Sequence, residues 1–170
     1  MSDPKHTIPL FPLGLVLFPD SRLHLHIFEE RYKTMIRASI AEGTVFGINL
    51  LQERYMFPVG CTAEVLRVSR GYPDGSFDIV IRGIARYTVT DYHESPVGYF
   101  EGVVEMLDDT ATDVPDRLRL DAAAMYNNLM DVVFPGQDDL NLREEETQGL
   151  GISYAMAEKA GLDMSSRQRL

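Results

Sequence analysis

The sequence predicts an α+β protein: a β-rich part with one early helix, followed by a helical part. Three observations carry this. Short apolar stretches, many with a period of two and bounded by turn residues, run to about residue 107. The period changes once within them, at Phe28, to that of a helix. After the polar stretch "DDTATDVPD" the pattern becomes helical and stays so. The boundary falls near residue 110, which predicts a β-rich subdomain over 1–110 and a helical subdomain over 111–170.

The first stretch, "IPLFPLGLVLFPDSRLHLHIF", carries Pro9, Pro12 and Pro19, with Pro4 just before it. Proline donates no ladder hydrogen bond, so these strands are expected at sheet edges or broken by bends. Residues 15–18 are bounded by Gly14 and Pro19, too short for a helix, and read as a strand. In the next strand Leu23, Leu25 and Ile27 take one face, His24 and His26 the other. Tyr32, Met35, Ile36 and Ile40 then recur at helical spacing. Glu29 and Glu30 stand in the first turn, where negative charge complements the helix dipole. Arg37 lies nearer the other end, and Gly43 is the stop.

"TVFGINLL" reads as a strand, and "CTAEVLRVS" as another with Cys61, Ala63 and Val65 on one side. Between them, "ERYMFPVG" reads as a loop. Tyr55, Met56 and Phe57, in a row before Pro58, must there either cover the core or face a partner. "YPDGS" has the residue order of a type I turn. Beyond it Phe77, Ile79 and Ile81 alternate with Asp78, Val80 and Arg82, so a hairpin is expected. "GIARYTVTDY" and "YFEGVVEML" continue the series, to about six short strands.

In the helical part Pro115 suits a first-turn position, with Asp113 as a cap. Leu118, Ala122, Met125, Leu129, Val132 and Val133 form a single helical stripe, ended by "FPGQDD". A shorter helix covers 152–159 and stops at Gly161. Ser165 or Ser166 is expected to cap one more, which is left unfinished at Leu170, as trimming, a missing segment or a frayed tail would leave it.

The charge and motif content bounds the chemistry. Net charge is -10 over 170 residues, with 13 acidic against 10 basic residues up to Leu107 and 13 against 6 beyond it. Acidity of this kind disfavours nucleic acid, whose affinity comes from Lys and Arg neutralising phosphates. No apolar run reaches membrane-spanning length, and "MSDPKHT" lacks the pattern of a signal peptide. The single cysteine, Cys61, excludes an internal disulfide framework, so a cytoplasmic setting is expected. Cys61 reads as a buried strand residue and not a nucleophile. No G-x-S-x-G, P-loop or G-x-G-x-x-G motif occurs, and no cofactor is expected. His24 and His26 share a strand face and could ligate a metal with Glu29 or Glu30, but a solvent-facing polar strand face followed by acidic residues at a helix start is the favoured reading. Glu144, Glu145 and Glu146 read as a solvated helix turn.

Pro9-Leu10-Phe11-Pro12, Phe18-Pro19, and Leu25-His26-Ile27-Phe28-Glu29 followed by Arg31-Tyr32 strongly resemble the opening of the N-terminal domain of Lon proteases, above all its stand-alone relatives. "VGCTAEVLRV" around Gly60, and "IRGIARYTV" around Gly83 and Arg86, resemble later segments of that family. The resemblance implies a PUA-like β pseudo-barrel with a helix, followed by a helical subdomain. In that setting His26 through Tyr32 forms a strand-to-helix junction, and Arg31 anchors neighbouring backbone or a carboxylate. In Lon this domain helps to hold unfolded polypeptides and supports oligomer assembly, while the ATPase and Ser-Lys protease modules lie elsewhere. The expectation is therefore a non-catalytic binding module, without metal, for unfolded polypeptides or a partner protein, with homo-oligomerisation compatible. A hydrophobic groove or an exposed strand edge would do the binding, with contacts at Tyr55, Met56 and Phe57 and further ones at Tyr72 and Tyr99. PUA-like folds often contact RNA, which is the first alternative; a small metal-binding protein using His24 and His26 is the second.

Overall fold

The computed structural model describes residues 6–108, 114–147 and 151–170. The chain divides into two compact units, Met1–Asp108 and Asp109–Leu170. The first holds strands β1 (His6–Leu13), β2 (Arg22–Ile27), β3 (Phe46–Gln52), β4 (Tyr55–Gly71), β5 (Phe77–Glu94) and β6 (Phe100–Met106), with helix α1 (Glu30–Glu42) between β2 and β3. The second holds α2 (Asp116–Val133), a 3-10 turn at Asp138–Leu140, α3 (Glu144–Thr147), α4 (Ile152–Lys159) and α5 (Met164–Gln168). This mixed architecture is the α+β class that the patterning predicts.

The strands lie in the order β2-β5-β4-β3-β1-β6, and β6 also pairs with β5. That second pairing closes β5, β4, β3, β1 and β6 into a barrel. It is possible because β5 is 18 residues long and changes neighbour along one edge. Its first part, Phe77 to Arg82, pairs with β2, and its later part, Tyr87 to Glu94, pairs with β6. The strands are six among the described residues, but β4 and β5 are not short.

The prolines of β1 lie in a strand with neighbours on both sides. His6 to Leu10 pair with β6, Leu10 to Leu13 pair with β3, and the two ladders overlap only at Leu10. Pro9 and Pro12 thus each sit in a half-strand with one partner, which leaves a free side for the missing N–H. Residues 15–18 are not a strand. They form an irregular segment that buries Leu17 and Phe18. The chain is then tied to β5 through Asp20 N–H to Gly83 O (2.9 Å) and Gly83 N–H to Ser21 O (3.0 Å). A Cβ at Gly83 would stand 2.1 Å from Phe18 O, so only glycine permits that crossing.

Helix α1 starts after Glu29 and ends at Gly43, whose φ of 64° is the left-handed cap that glycine adopts without strain. It buries Tyr32, Met35 and Ile36, but Ile40 is exposed and Ser39 is buried instead. Each of the three large side chains contributes roughly 1.5–3 kcal/mol by burial. They join Phe11, Phe46, Ile48, Ile79 and Ile81 in one core cluster, with Phe11 stacked on Tyr32 at 4.0 Å between centroids. Val80, expected on the polar face of its strand, is buried as well. The "YPDGS" turn forms as expected, with Gly75 N–H donating to Tyr72 O and Asp74 accepting from the Ser76 N–H.

In the second unit α2 turns its apolar stripe outward. Leu118, Ala122, Met125, Leu129, Val132 and Val133 are exposed, while Ala123 and Met130 are buried. Pro115 is the N-cap residue, one position before the first turn, and Asp113 lies outside the described residues. The α5 cap is Asp163, whose carboxylate accepts from the Ser166 N–H; Ser166 is its partner and not the cap.

Candidate functional site at the barrel rim

The segment expected as a loop, "ERYMFPVG", is the turn and the start of β4. Glu53 and Arg54 both have positive φ (50° and 71°), the signature of a type I′ hairpin turn joining β3 to β4. Two non-glycine residues there gave no Asn-Gly or Asp-Gly signal, which is why the strand was not legible. Tyr55 and Met56 pair with Gln52 and Leu51 across that turn. Successive strand residues point to opposite faces, so the three bulky residues divide. Tyr55 and Phe57 pack edge to face, 4.9 Å between centroids. Met56 packs on the second core cluster, Ile8, Leu10, Tyr87 and Val104.

Tyr87 holds this part of β4 in place from inside. Its side chain is wholly buried, in space left by two glycines: a Cβ at Gly47 would lie 2.0 Å, and one at Gly60 2.6 Å, from its hydroxyl oxygen. The hydroxyl donates to Asn49 Oδ1 at 2.5 Å, and the Asn49 amide donates to Phe57 O at 3.0 Å. Burial pushes the Tyr87 hydroxyl well above the ordinary tyrosine range, so it remains a neutral donor. A buried polar chain thus runs from Tyr87 through Asn49 to the backbone of Phe57.

Beside Tyr55, the ladder between β5 and β6 shifts register between Val89 and Asp91. Thr90 is the extra residue, and its hydroxyl donates to Val103 O at 3.1 Å. Bulges re-aim side chains at barrel rims. Here Val89, Thr90, Asp91 and Tyr92 meet Arg54, Tyr55, Met56 and Pro58 around an open pocket of about 330 Å³. Tyr55 is 58% exposed and Tyr92 51% exposed, large fractions for aromatic side chains in one pocket.

The other predicted contacts lie elsewhere in the same unit. The Tyr72 hydroxyl donates to Asp78 Oδ2 at 2.7 Å, and His26 Nδ1 lies 2.6 Å from Asp78 Oδ1. These two contacts hold the Asp78 carboxyl below the usual aspartate range, Tyr72 contributing most. Tyr99 lines a larger groove of about 810 Å³ beside α1. Tyr55 and Met56 therefore share a pocket, Phe57 supports it, and Tyr72 and Tyr99 belong to separate places.

The family model described as the ATP-dependent protease La (LON) substrate-binding domain matches residues 7–170. The chain belongs to the Lon substrate-binding domain family. Among solved structures it is similar to the Lon N-terminal domain protein from Xanthomonas campestris, with TM-score 0.62 and 20% identity over 93% of this chain and 99% of that one. It is also similar to the N-terminal domain of the Mycobacterium avium complex Lon protease, with TM-score 0.60 and 16% identity over 96% and 95%. At these identities the likeness concerns the fold.

The residues that carry the Lon-domain resemblance take mainly packing positions. Leu10, Phe11, Phe18 and Tyr32 are buried, and Gly60 and Gly83 are both points of close backbone approach. Arg31 contacts carboxylate and backbone together: Nε donates to Glu29 at 2.9 Å and a guanidinium N–H donates to Gly98 O at 3.3 Å. The Arg86 carbonyl accepts from Leu107 N–H, where β6 ends. Phe28 is the exception, exposed and stacked near His26. His26 is engaged by Asp78, and no group of three or more His, Cys, Asp or Glu that could hold a metal occurs among the described residues. No helix among them is long and apolar enough to cross a membrane. Tyr92 and Val89 escaped the sequence reading because a bulge leaves no mark in an alternating pattern.

Proposed function

We propose that this Lon-type domain is a non-catalytic, cytoplasmic module that grips unfolded polypeptides through the rim surface built on Tyr55, Met56 and Phe57. One observation carries the reading: two tyrosines, Tyr55 and Tyr92, stand half exposed in a common pocket. Amphipathic rings with a supported backbone suit recognition of apolar segments of varied sequence. The description of the matched family as a substrate-binding domain supports the same conclusion. Residues 1–110 would do the binding and 111–170 would form the helical subdomain.

A titration of an unfolded, carboxymethylated model protein against wild type and a Tyr55→Ala/Met56→Ala/Phe57→Ala variant tests this. The variant should bind about tenfold or more weakly, since aromatic anchors at binding surfaces commonly contribute above about 1–2 kcal/mol each. Equal affinity in a variant that still melts cooperatively would remove this surface from the reading.

A further inference from the structure

The described residues that line the larger groove all belong to the first unit, chiefly on β1, the end of α1, β5 and β6. Its shape begins with a second bulge. Cys61 pairs with Arg86 and Ala63 with Gly83, so Ile84 and Ala85 together oppose Thr62. The Thr62 hydroxyl spans that gap, donating to Ala85 O at 3.1 Å and accepting from Ala85 N–H at 3.2 Å. Ile84 is thereby carried to the surface, 40% exposed, and lines the groove with Ile8, Met35 and Met106.

Among the described lining residues of this apolar groove, the Asp, Glu, Lys and Arg side chains present are the carboxylates Glu42 and Glu101. Glu42 is the last residue of α1, at the negative end of the helix dipole, and no basic residue occupies that last turn. Glu42 has no ion-pair partner among the described residues. Glu101 enters from β6; its contacts are the Tyr99 hydroxyl and His93 Nε2, the latter at 3.4 Å. Among the described lining residues there is neither lysine nor arginine, and His6 is the one ionisable nitrogen. Burial, then Glu101 and Glu42, push the Tyr99 hydroxyl above its ordinary range, so the phenol stays neutral and adds no charge of its own.

We infer that this groove is a second binding site, which takes an apolar polypeptide segment bearing a lysine or arginine side chain. The apolar floor receives the segment, and Glu42, Glu101 and the α1 carbonyl end receive the cation. The inference rests on the reading that the domain holds polypeptide, and it adds the chemistry that the substrate must carry.

The test is fluorescence anisotropy with a labelled peptide of leucine and lysine and a matched peptide with glutamine in place of lysine. Wild type should bind the lysine peptide about tenfold more tightly at low salt. A Glu42→Gln/Glu101→Gln variant should lose most of that preference and keep its affinity for the glutamine peptide. A Glu144→Gln/Glu145→Gln variant makes the same change in net charge in the other unit and should keep the preference. Should the double groove variant fail to fold, Glu42→Gln alone, at an exposed helix end, should still lower it. Equal binding of both peptides by wild type overturns the inference, as does a lysine preference that survives loss of the groove carboxylates. Binding of the unfolded model protein with no preference between the two peptides removes the groove alone; no binding of the model protein or of either peptide removes the proposed function with it.

Discussion

Tyr87 shows how single residues shape the surface that a partner would meet. Its ring fits only because positions 47 and 60 lack a Cβ, and its hydroxyl fixes the Asn49 amide that holds the Phe57 carbonyl. At Gly60 a Cβ would lie 2.6 Å from both Ile48 O and the Tyr87 hydroxyl oxygen. Gly60→Ala should therefore cost about 1–3 kcal/mol in urea unfolding, the usual range for overpacking. Gly71→Ala, at a strand glycine with nothing within 4 Å of the added carbon, should change stability by less than about 0.5 kcal/mol. A loss at Gly60 no larger than that at Gly71 would contradict this close packing.

At the scale of elements, α2 separates periodicity from burial. The stripe from Leu118 to Val133 has good helical spacing, yet the inward face is Arg119, Ala123, Tyr126, Asn127 and Met130. Polar side chains orient that face: Arg119 pairs with Asp116, and Asn127 exchanges two hydrogen bonds with the backbone of Leu142, at 2.8 and 3.3 Å. Hydrophobic patterning alone favoured the other side. Met130→Ala should lower stability by about 2 kcal/mol or more in thermal unfolding. Met125→Ala, at a residue 73% exposed, should stay within about 0.5 kcal/mol of wild type. The reverse order would return the stripe to the core.

At the scale of the whole molecule, hydrogen-bonded carboxylates in both units share an acid sensitivity. Asp74, Asp78 and Asp163 all have folded-state pKa values below the ordinary 3.8, through hydrogen bonds led by Ser76, Tyr72 and Ser166 respectively. A lowered folded value means that the contribution is fully present above the unfolded value and is lost as pH falls through the folded one. Melting temperature should thus be steady near neutrality and fall below about pH 4, and an Asp74→Asn/Asp78→Asn variant should fall less steeply over that range. A steeper fall in the variant would contradict the assignment.

What the sequence by itself determined was local. The α1 start, its buried Tyr32, Met35 and Ile36, the Gly43 stop, the "YPDGS" turn and the inward alternation of β2 all follow from period, charge and backbone freedom within a few residues. What only the tertiary structure decided was non-local. Barrel closure needs β5 to exchange β2 for β6 along one edge, and both proposed binding surfaces need register shifts, at Thr90 and at Ile84–Ala85. A bulge alters which face a side chain takes only relative to a partner strand distant in sequence. That partner, and not the alternation, places Tyr92 in one pocket with Tyr55 and Ile84 in the groove with Glu42 and Glu101.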